Sequence, residues 1–549
     1  MPRSRSVGQF LVEHLEQTGL GHVFGIPGDY VLGFYDLLVD SRMEIIGTCT
    51  EIGAGYAADA YARVSGLGAV CVTYCVGGLN VLNAVAGAYA EKSPLIVISG
   101  APGLAERHRS PLLHHQVRDF HTQFEIYEKV TCAACVLDDP PTAARRIVQV
   151  IEACRRVKRP VYIEVPRDMV DEPCVPAVEA NESMPRETPD PAVRREAVAE
   201  ASQMLRAAKR PVIVAGVEVH RFGLQEKLLR LVERTGYPVV ATLLGKSVIR
   251  ENHPQYLGVY EGAMGHEQVR RAVEGADCVL FLGAFMSDIN LGVYTARLDP
   301  DRCIDASSQR ISIRRHYYEH VELGKFIEAL SRSLPARRGK ARTAKAQARS
   351  FKARPNRPVT VRRLFDRMNE LLDERTVVIC DIGDSLFGAI ELTMHRRTEF
   401  LSPAYYTSMG FAVPAAIGAQ MAQPNLRPIV FVGDGAFQMT GHELACIARY
   451  GLNPIIIVLN NKGYTTERMI HEGPYNDIHD CAYHLWPQVV RKGWGCEVTT
   501  EGELEEALAT ALTHTNAFSI INLHLDPSDH SKALERLGRR LSKRAGLAK

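Results

Sequence analysis

Residues 427–467 read RPIVFVGDGAFQMTGHELACIARYGLNPIIIVLNNKGYTTE. An apolar, β-branched run, PIVFV, turns on Gly433-Asp434-Gly435. A helix-like segment follows, and a second apolar run, PIIIVL, ends in Asn460-Asn461. Short β-branched runs separated by helix-length segments read as parallel strands joined by crossover helices. In open sheets of that kind, ligands bind beyond the carboxyl ends of the strands. Two adjacent strand ends here present an Asp and an Asn.

That pair suits a hard cation. Magnesium takes six oxygens in an octahedron. Asp434 offers a carboxylate, Asn461 an amide oxygen and Gly463 a backbone carbonyl, which glycine is expected to turn inward through unusual dihedrals. A diphosphate would add two oxygens and water the sixth. Glycines let backbone N–H groups approach the phosphates, and the following helix N-terminus faces the negative charge.

The same alternation runs through the chain. VCVTYCV is followed by the Ala-rich NVLNAVAGAYAEK and then by PLIVISG. The predicted fold class is therefore α/β, with mainly parallel sheets flanked by helices. Two stretches read as linkers: 172–195, rich in Pro and Glu, and 335–358, rich in Pro, Arg and Lys. Three domains follow, at 1–175, 190–335 and 358–549, a reasonable division of 549 residues.

With 46% hydrophobic and 23% charged residues, the composition is that of a globular protein. The net charge of +2 gives no reason to expect nucleic acid or an acidic membrane as partner. No apolar run reaches the roughly 20 residues of a spanning helix. MPRSRSVGQFL lacks the long apolar stretch of a signal peptide. Thirteen cysteines, scattered mostly singly through apolar segments, suit free thiols in a reducing cytoplasm. Cys132 and Cys135 form a lone C-x-x-C without a second pair or histidines at ligand spacing, so no metal or redox role is read there.

Further motifs occur in order: FGIPGDY, GTCTEIGAGYAADAYAR, VTYCVGGLNVLNAVAGAYAEKSPLIVISGAP and LLHHQV, then GDG…NN and GYTTE. Together they resemble the thiamine-diphosphate-dependent 2-oxo acid decarboxylases that act on pyruvate, indolepyruvate and phenylpyruvate. The likeness runs from about residue 5 to 525, and PAYYTSMGFAVPAAIGAQMA is most similar to the bacterial phenylpyruvate and indolepyruvate enzymes. The resemblance implies pyrimidine-binding and diphosphate-binding domains around a Rossmann-like middle domain without catalytic residues. It also implies an active site shared between two subunits, assembled as a homotetramer, with thiamine diphosphate and Mg2+ as cofactors.

Residue by residue, Glu51 matches the family glutamate that hydrogen-bonds N1′ of the aminopyrimidine. That contact favours the tautomer whose N4′ takes the thiazolium C2 proton. The small and apolar neighbours of Glu51 predict that it is buried. Met409 stands at the wedge that bends the cofactor, and the carbonyl of Thr407 accepts from the N4′ amine. Asp29, His114, His115 and Glu467 match the proton-handling set, with Asp29 and His115 as partners. Asp384 and Ser385 resemble cofactor-contacting positions. Thr73, Gly433, Gly435, Tyr464 and Thr465 complete the implied contacts, and Ala436 replaces a Ser found in some members.

Leu386 occupies a place where pyruvate-specific bacterial relatives carry Trp, so the pocket has room for part of a ring. Met469 and Ile470 are expected to form an apolar wall. An aromatic 2-oxo acid is therefore the expected substrate, with pyruvate or a branched-chain acid as alternative. A carboligase resembling acetolactate synthase would carry a flavin in the middle domain and generally lacks the His-His pair. An inactive assembly paralogue should have lost Glu51, the Asp29–His partner or the Asp434–Asn461 pair.

Overall fold

The computed structural model describes residues 5–108, 110–174, 190–336, 351–395 and 399–546. Much of both linker stretches, 175–189 and 337–350, lies outside these described residues.

Three sheets organise the chain. The first has six parallel strands in the order Glu44–Gly47, His22–Gly25, Gly68–Val72, Leu95–Ala101, Val161–Pro166 and Ala134–Val136. The middle one has seven, and its last two, Arg310–Ile313 and His316–Glu319, turn antiparallel at one edge. The third again has six parallel strands: Glu399–Leu401, Thr376–Cys380, Arg427–Gly433, Ile455–Asn460, Ser519–His524 and Trp494–Val498. Central strands such as Gly68–Val72, Leu95–Ala101 and Thr376–Cys380 are buried at every residue. Helices on both faces explain why their sequences read as unbroken apolar runs. Each buried Val, Ile or Leu contributes about 1.5–3 kcal/mol against exposure.

The first and third sheets share one hydrophobic core, joined through helices Glu51–Ser65 and Ala412–Ala422. Both helices are rich in Ala and Gly. A side chain on Gly418 would collide with the carbonyl oxygen of Ala57, so only glycine permits this approach. Helix Glu51–Ser65 starts at Thr50, whose side chain accepts from Gly53 N, and ends at Gly66 with φ +95°. Arg63 on that helix is buried between Asp59 and Glu91, both in salt-bridge contact. All 13 cysteines are free, Cys132 and Cys135 included. Among the described residues, no helix is long and apolar enough to cross a membrane.

Candidate active site

In the third sheet, strand Arg427–Gly433 runs directly into helix Asp434–Thr440. Pairing of Gly433 with Leu459 brings Asp434 level with the Asn460-Asn461 end of the neighbouring strand. Asp434 is buried; its Oδ1 accepts from Gly435 N at 2.8 Å, and its Oδ2 has no partner. Asn461 donates from Nδ2 to Thr465 Oγ1 at 2.6 Å, which leaves its Oδ1 unpartnered. Burial pushes the Asp434 carboxyl up to about 6, against the pull of the backbone N–H groups of Gly435, Lys462, Gly463 and Asn461. Orphaned buried oxygens are costly. A divalent cation with oxygen ligands would remove that cost. The residues present therefore fit a magnesium diphosphate, and Gly433, with open space where a Cβ would stand, leaves room for its phosphates.

Gly463 departs from the sequence reading. The left-handed residue is Lys462, at φ +58°, and Gly463 has no positive φ. Glycine is needed at 463 for space: a Cβ there would strike Arg468 and the carbonyl of Asn476.

The turn bearing Thr407 and Met409 is held from below. Asp381, fully buried, accepts from Gly410 N at 3.2 Å and Ala412 N at 3.0 Å. Glu91 Oε1 accepts from Tyr405 N at 2.7 Å and Tyr406 N at 2.9 Å. Thr407 itself sits at φ +59°, a conformation that β-branched residues rarely adopt. Thr407→Gly is expected to stabilise the fold by about 1 kcal/mol through relief of that conformation. Turnover should stay near wild type, because the carbonyl keeps its direction. A raised thermal midpoint is the check, and a lowered one would contradict it.

Around these groups lies a cavity of about 280 Å³. Asp384, Ser385, Leu386, Thr407, Met409, Gly433, Asp434, Gly435, Ala436, Asn461, Gly463, Tyr464, Thr465, Glu467 and Ile470 all line it. Burial raises the Asp384 carboxyl to about 6, and Ser531 N donates to both its oxygens, at 3.1 and 3.2 Å. Met469 does not line the cavity. On the short helix Thr465–Ile470 it turns away and packs against Gly538 of helix Lys532–Arg544. The wall is completed instead by Leu537 and Leu541 of that C-terminal helix and by Ile289 of the middle domain.

The first-sheet residues form a separate group. Glu51 opens its helix and accepts from Asn80 Nδ2 at 2.6 Å. Contrary to its small, apolar sequence context, Glu51 is only half-buried in the single chain, although Gly53 and Ala54 of the same turn are buried. A Cβ on Gly77 would lie 3.3 Å from Thr73 Cγ2 and 3.5 Å from Glu51 Oε1, so Thr73 and Glu51 share one wall. Thr73 Oγ1 is buried without a partner. Asp29 pairs with His114, not His115: His114 Nε2 lies 2.6 Å from Asp29 Oδ2. Tyr30 stacks on His114, with ring centroids 4.7 Å apart, and its hydroxyl lies 3.4 Å from Nδ1. His115, at φ +67°, brings a ring nitrogen within 4.8 Å of the Asp29 carboxylate and of His114, and its Nδ1 is buried and unpartnered. None of these first-sheet groups lines the third-sheet cavity.

Sequence reasoning missed Asn80, Glu91, Asp381, Ile289, Leu537 and Leu541. Asn80 and Glu91 lie inside a quoted motif, but the burial of Glu91 and Asp381 under a turn has no sequence signature.

Two α/β domains of this kind, one carrying Glu51 and the other the GDG…NN strand ends, define a thiamine-diphosphate enzyme. The chain matches the Thiamine pyrophosphate enzyme family: its N-terminal TPP binding domain over residues 5–126, its central domain over 198–334 and its C-terminal TPP binding domain over 381–523. It is 37% identical over 528 residues to an indole-3-pyruvate decarboxylase of Azospirillum brasilense, covering 94% of each chain. It is 34% identical to an alpha-keto-acid decarboxylase of Mycolicibacterium paratuberculosis, covering 95% of this chain and 94% of the relative. It is 32% identical to pyruvate decarboxylase 4 of Arabidopsis thaliana, covering 98% and 92%. The chain belongs to the thiamine-diphosphate-dependent 2-oxo acid decarboxylases.

Proposed function

We propose that this decarboxylase acts on an aromatic 2-oxo acid, phenylpyruvate or indolepyruvate, and releases CO2 and the aldehyde. The observation that carries this reading is the apolar wall of the cavity, built by Leu386, Ile470, Leu537, Leu541 and Ile289. Leu386 is 1% exposed and narrows the space less than a Trp would. The Azospirillum relative, an indole-3-pyruvate decarboxylase by name, supports the same choice.

Bound thiamine diphosphate supplies the nucleophile for the 2-oxo carbonyl and the sink for the electrons left as CO2 departs. Asp434, Asn461 and the Gly463 carbonyl would hold the magnesium. Asp384, Ser385, Gly433, Gly435, Ala436, Tyr464 and Thr465 would line the cofactor's bed, and Thr73, beside Glu51 on the first sheet, would contact it there. Met409 would support the cofactor from the cavity wall, and Thr407 would offer its carbonyl to the amine. Glu51 shares a proton with the aminopyrimidine, with Asn80 fixing the carboxylate. Asp29, His114, His115 and Glu467 move protons at the new C–H bond and the aldehyde oxygen. Asp29 accepts from Nε2 of His114, which orients that ring.

The separation of the first-sheet groups from the third-sheet cavity supports a site completed by a second chain, in a dimer that assembles further into a homotetramer. The middle domain supports the decarboxylase reading over a flavin carboligase. At the end of strand Pro211–Ala215, a side chain on Gly216 would strike Gly283 and Ala284. In the next helix, the Glu218 carboxylate accepts from Lys92 and from Ser308 N at 2.6 Å. A carboxylate at the start of this helix is the wrong charge for a dinucleotide's phosphates, which helix N-termini otherwise attract.

Steady-state kinetics across a substrate series is the test. Each buried methylene favours the larger acid by about 0.8 kcal/mol. We expect kcat/KM for phenylpyruvate or indolepyruvate to exceed that for pyruvate by about tenfold or more, equivalent to about 1.4 kcal/mol. Leu386→Trp should erode the preference. Equal or better kcat/KM for pyruvate would overturn the aromatic assignment.

A further inference from the structure

Between the first and third sheets lies a second cluster of ligating groups that the decarboxylation does not use. Cys49 ends the turn before helix Glu51–Ser65, and its Sγ lies 3.7 Å from Sγ of Cys446 on helix Leu444–Arg449. A carboxylate oxygen of Glu443 joins them, and the three ligand atoms all lie within 4.8 Å of one another.

The sulfur separation identifies the chemistry. Two thiolates, each about 2.3 Å from a tetrahedral zinc, sit about 3.8 Å apart, whereas a disulfide needs about 2 Å. The spacing is that of sulfurs on one metal. Two thiolates and a carboxylate also select a soft or borderline cation over magnesium. The carboxylate is already oriented: Glu443 accepts from Cys49 N at 3.0 Å, Thr50 N at 3.1 Å and Thr50 Oγ1 at 3.0 Å. Such outer hydrogen bonds fix metal ligands in place. Beside it, His442 Nε2 lies 3.8 Å from Glu443 Oε1, buried and without a hydrogen-bond partner. Cys446 and Glu443 are buried while Cys49 is exposed, so the cluster has an entry path.

We infer that Cys49, Glu443 and Cys446 form a binding site for a thiophilic divalent cation of the zinc and cadmium class, tying the first domain to the third two residues before Glu51. Each cysteine gives up its thiol proton to solvent as the metal–sulfur bond forms. In the thiol form, Cys49 donates to the carbonyl of His442 at 3.4 Å and Cys446 to that of Gly47 at 3.3 Å, and both also contact the Glu443 carboxylate.

Cadmium titration of the holoenzyme, with thiamine diphosphate and excess magnesium present, tests this. The wild type should bind one cadmium per chain with an ultraviolet thiolate-to-metal band. Cys446→Ala should lose the band and weaken binding by at least about a hundredfold, since even outer-shell partners are worth about 10–100-fold. The other candidate group, Asp29, His114 and His115, holds no sulfur and gives no such band. A second measurement needs no variant: cadmium should protect Cys49 and Cys446 of the wild type from alkylation, read by peptide mass mapping. An unchanged band in Cys446→Ala, or equal alkylation of both cysteines with and without cadmium, would overturn the site.

Discussion

Glu51→Gln is expected to slow exchange of the C2 proton of bound thiamine diphosphate by at least about a hundredfold, the size of a positioned acid–base contribution. The amide keeps the shape of the side chain and its contact with Asn80, but cannot share a proton with the aminopyrimidine. The fold should be unaffected, because Glu51 is half-buried at a helix start and Asn80 is its hydrogen-bond partner. Thiamine diphosphate should bind as before. Exchange followed by NMR after rapid mixing with deuterium oxide is the check; a wild-type rate in the variant would remove Glu51 from cofactor activation.

Asp434→Ala should weaken thiamine diphosphate binding by at least about a hundredfold in the presence of magnesium, since the cation loses its one protein carboxylate. The apoprotein should respond in the opposite direction. Burial raises this carboxyl to about 6, so its ionised form costs the folded apoprotein stability at neutral pH. That cost fades as the pH falls through 6 towards the ordinary carboxylate value near 4. The isosteric Asp434→Asn should therefore raise the apoprotein's thermal midpoint at pH 7.5 and change it little near pH 4.5. Unchanged calorimetric affinity in Asp434→Ala would mean that the diphosphate sits elsewhere.

The diphosphate half of the site was legible in the sequence because its chemistry is local. A strand end, a turn and the next strand end bring Asp434 and Asn461 level within one stretch of 41 residues, while Asp384 and Ser385 come from a separate strand end. The Asp29–His114 pairing was not legible. Two adjacent histidines look alike in sequence; His114 takes the hydrogen bond while stacked on Tyr30, and His115 lies within 4.8 Å of the same carboxylate. The exposure of Glu51 was also misread: its small neighbours Gly53 and Ala54 are buried, but Glu51 itself, the first residue of the helix, is not. The pocket wall was half legible. Leu386 and Ile470 follow motifs, whereas Leu537 and Leu541 arrive from a C-terminal helix whose docking depends on Ser531 N reaching Asp384. Met469 was misplaced because a six-residue helix turns consecutive side chains to different faces.

In the proposed decarboxylase, one site joins Glu51 of one chain to Asp434 and Asn461 of another. Co-expression of Glu51→Gln and Asp434→Ala chains tests it directly. Each variant alone should be nearly inactive. A mixed dimer would rebuild one intact site, and random pairing should restore about a quarter of wild-type turnover of phenylpyruvate to aldehyde and CO2. Mixed assemblies no more active than either variant alone would contradict the shared site.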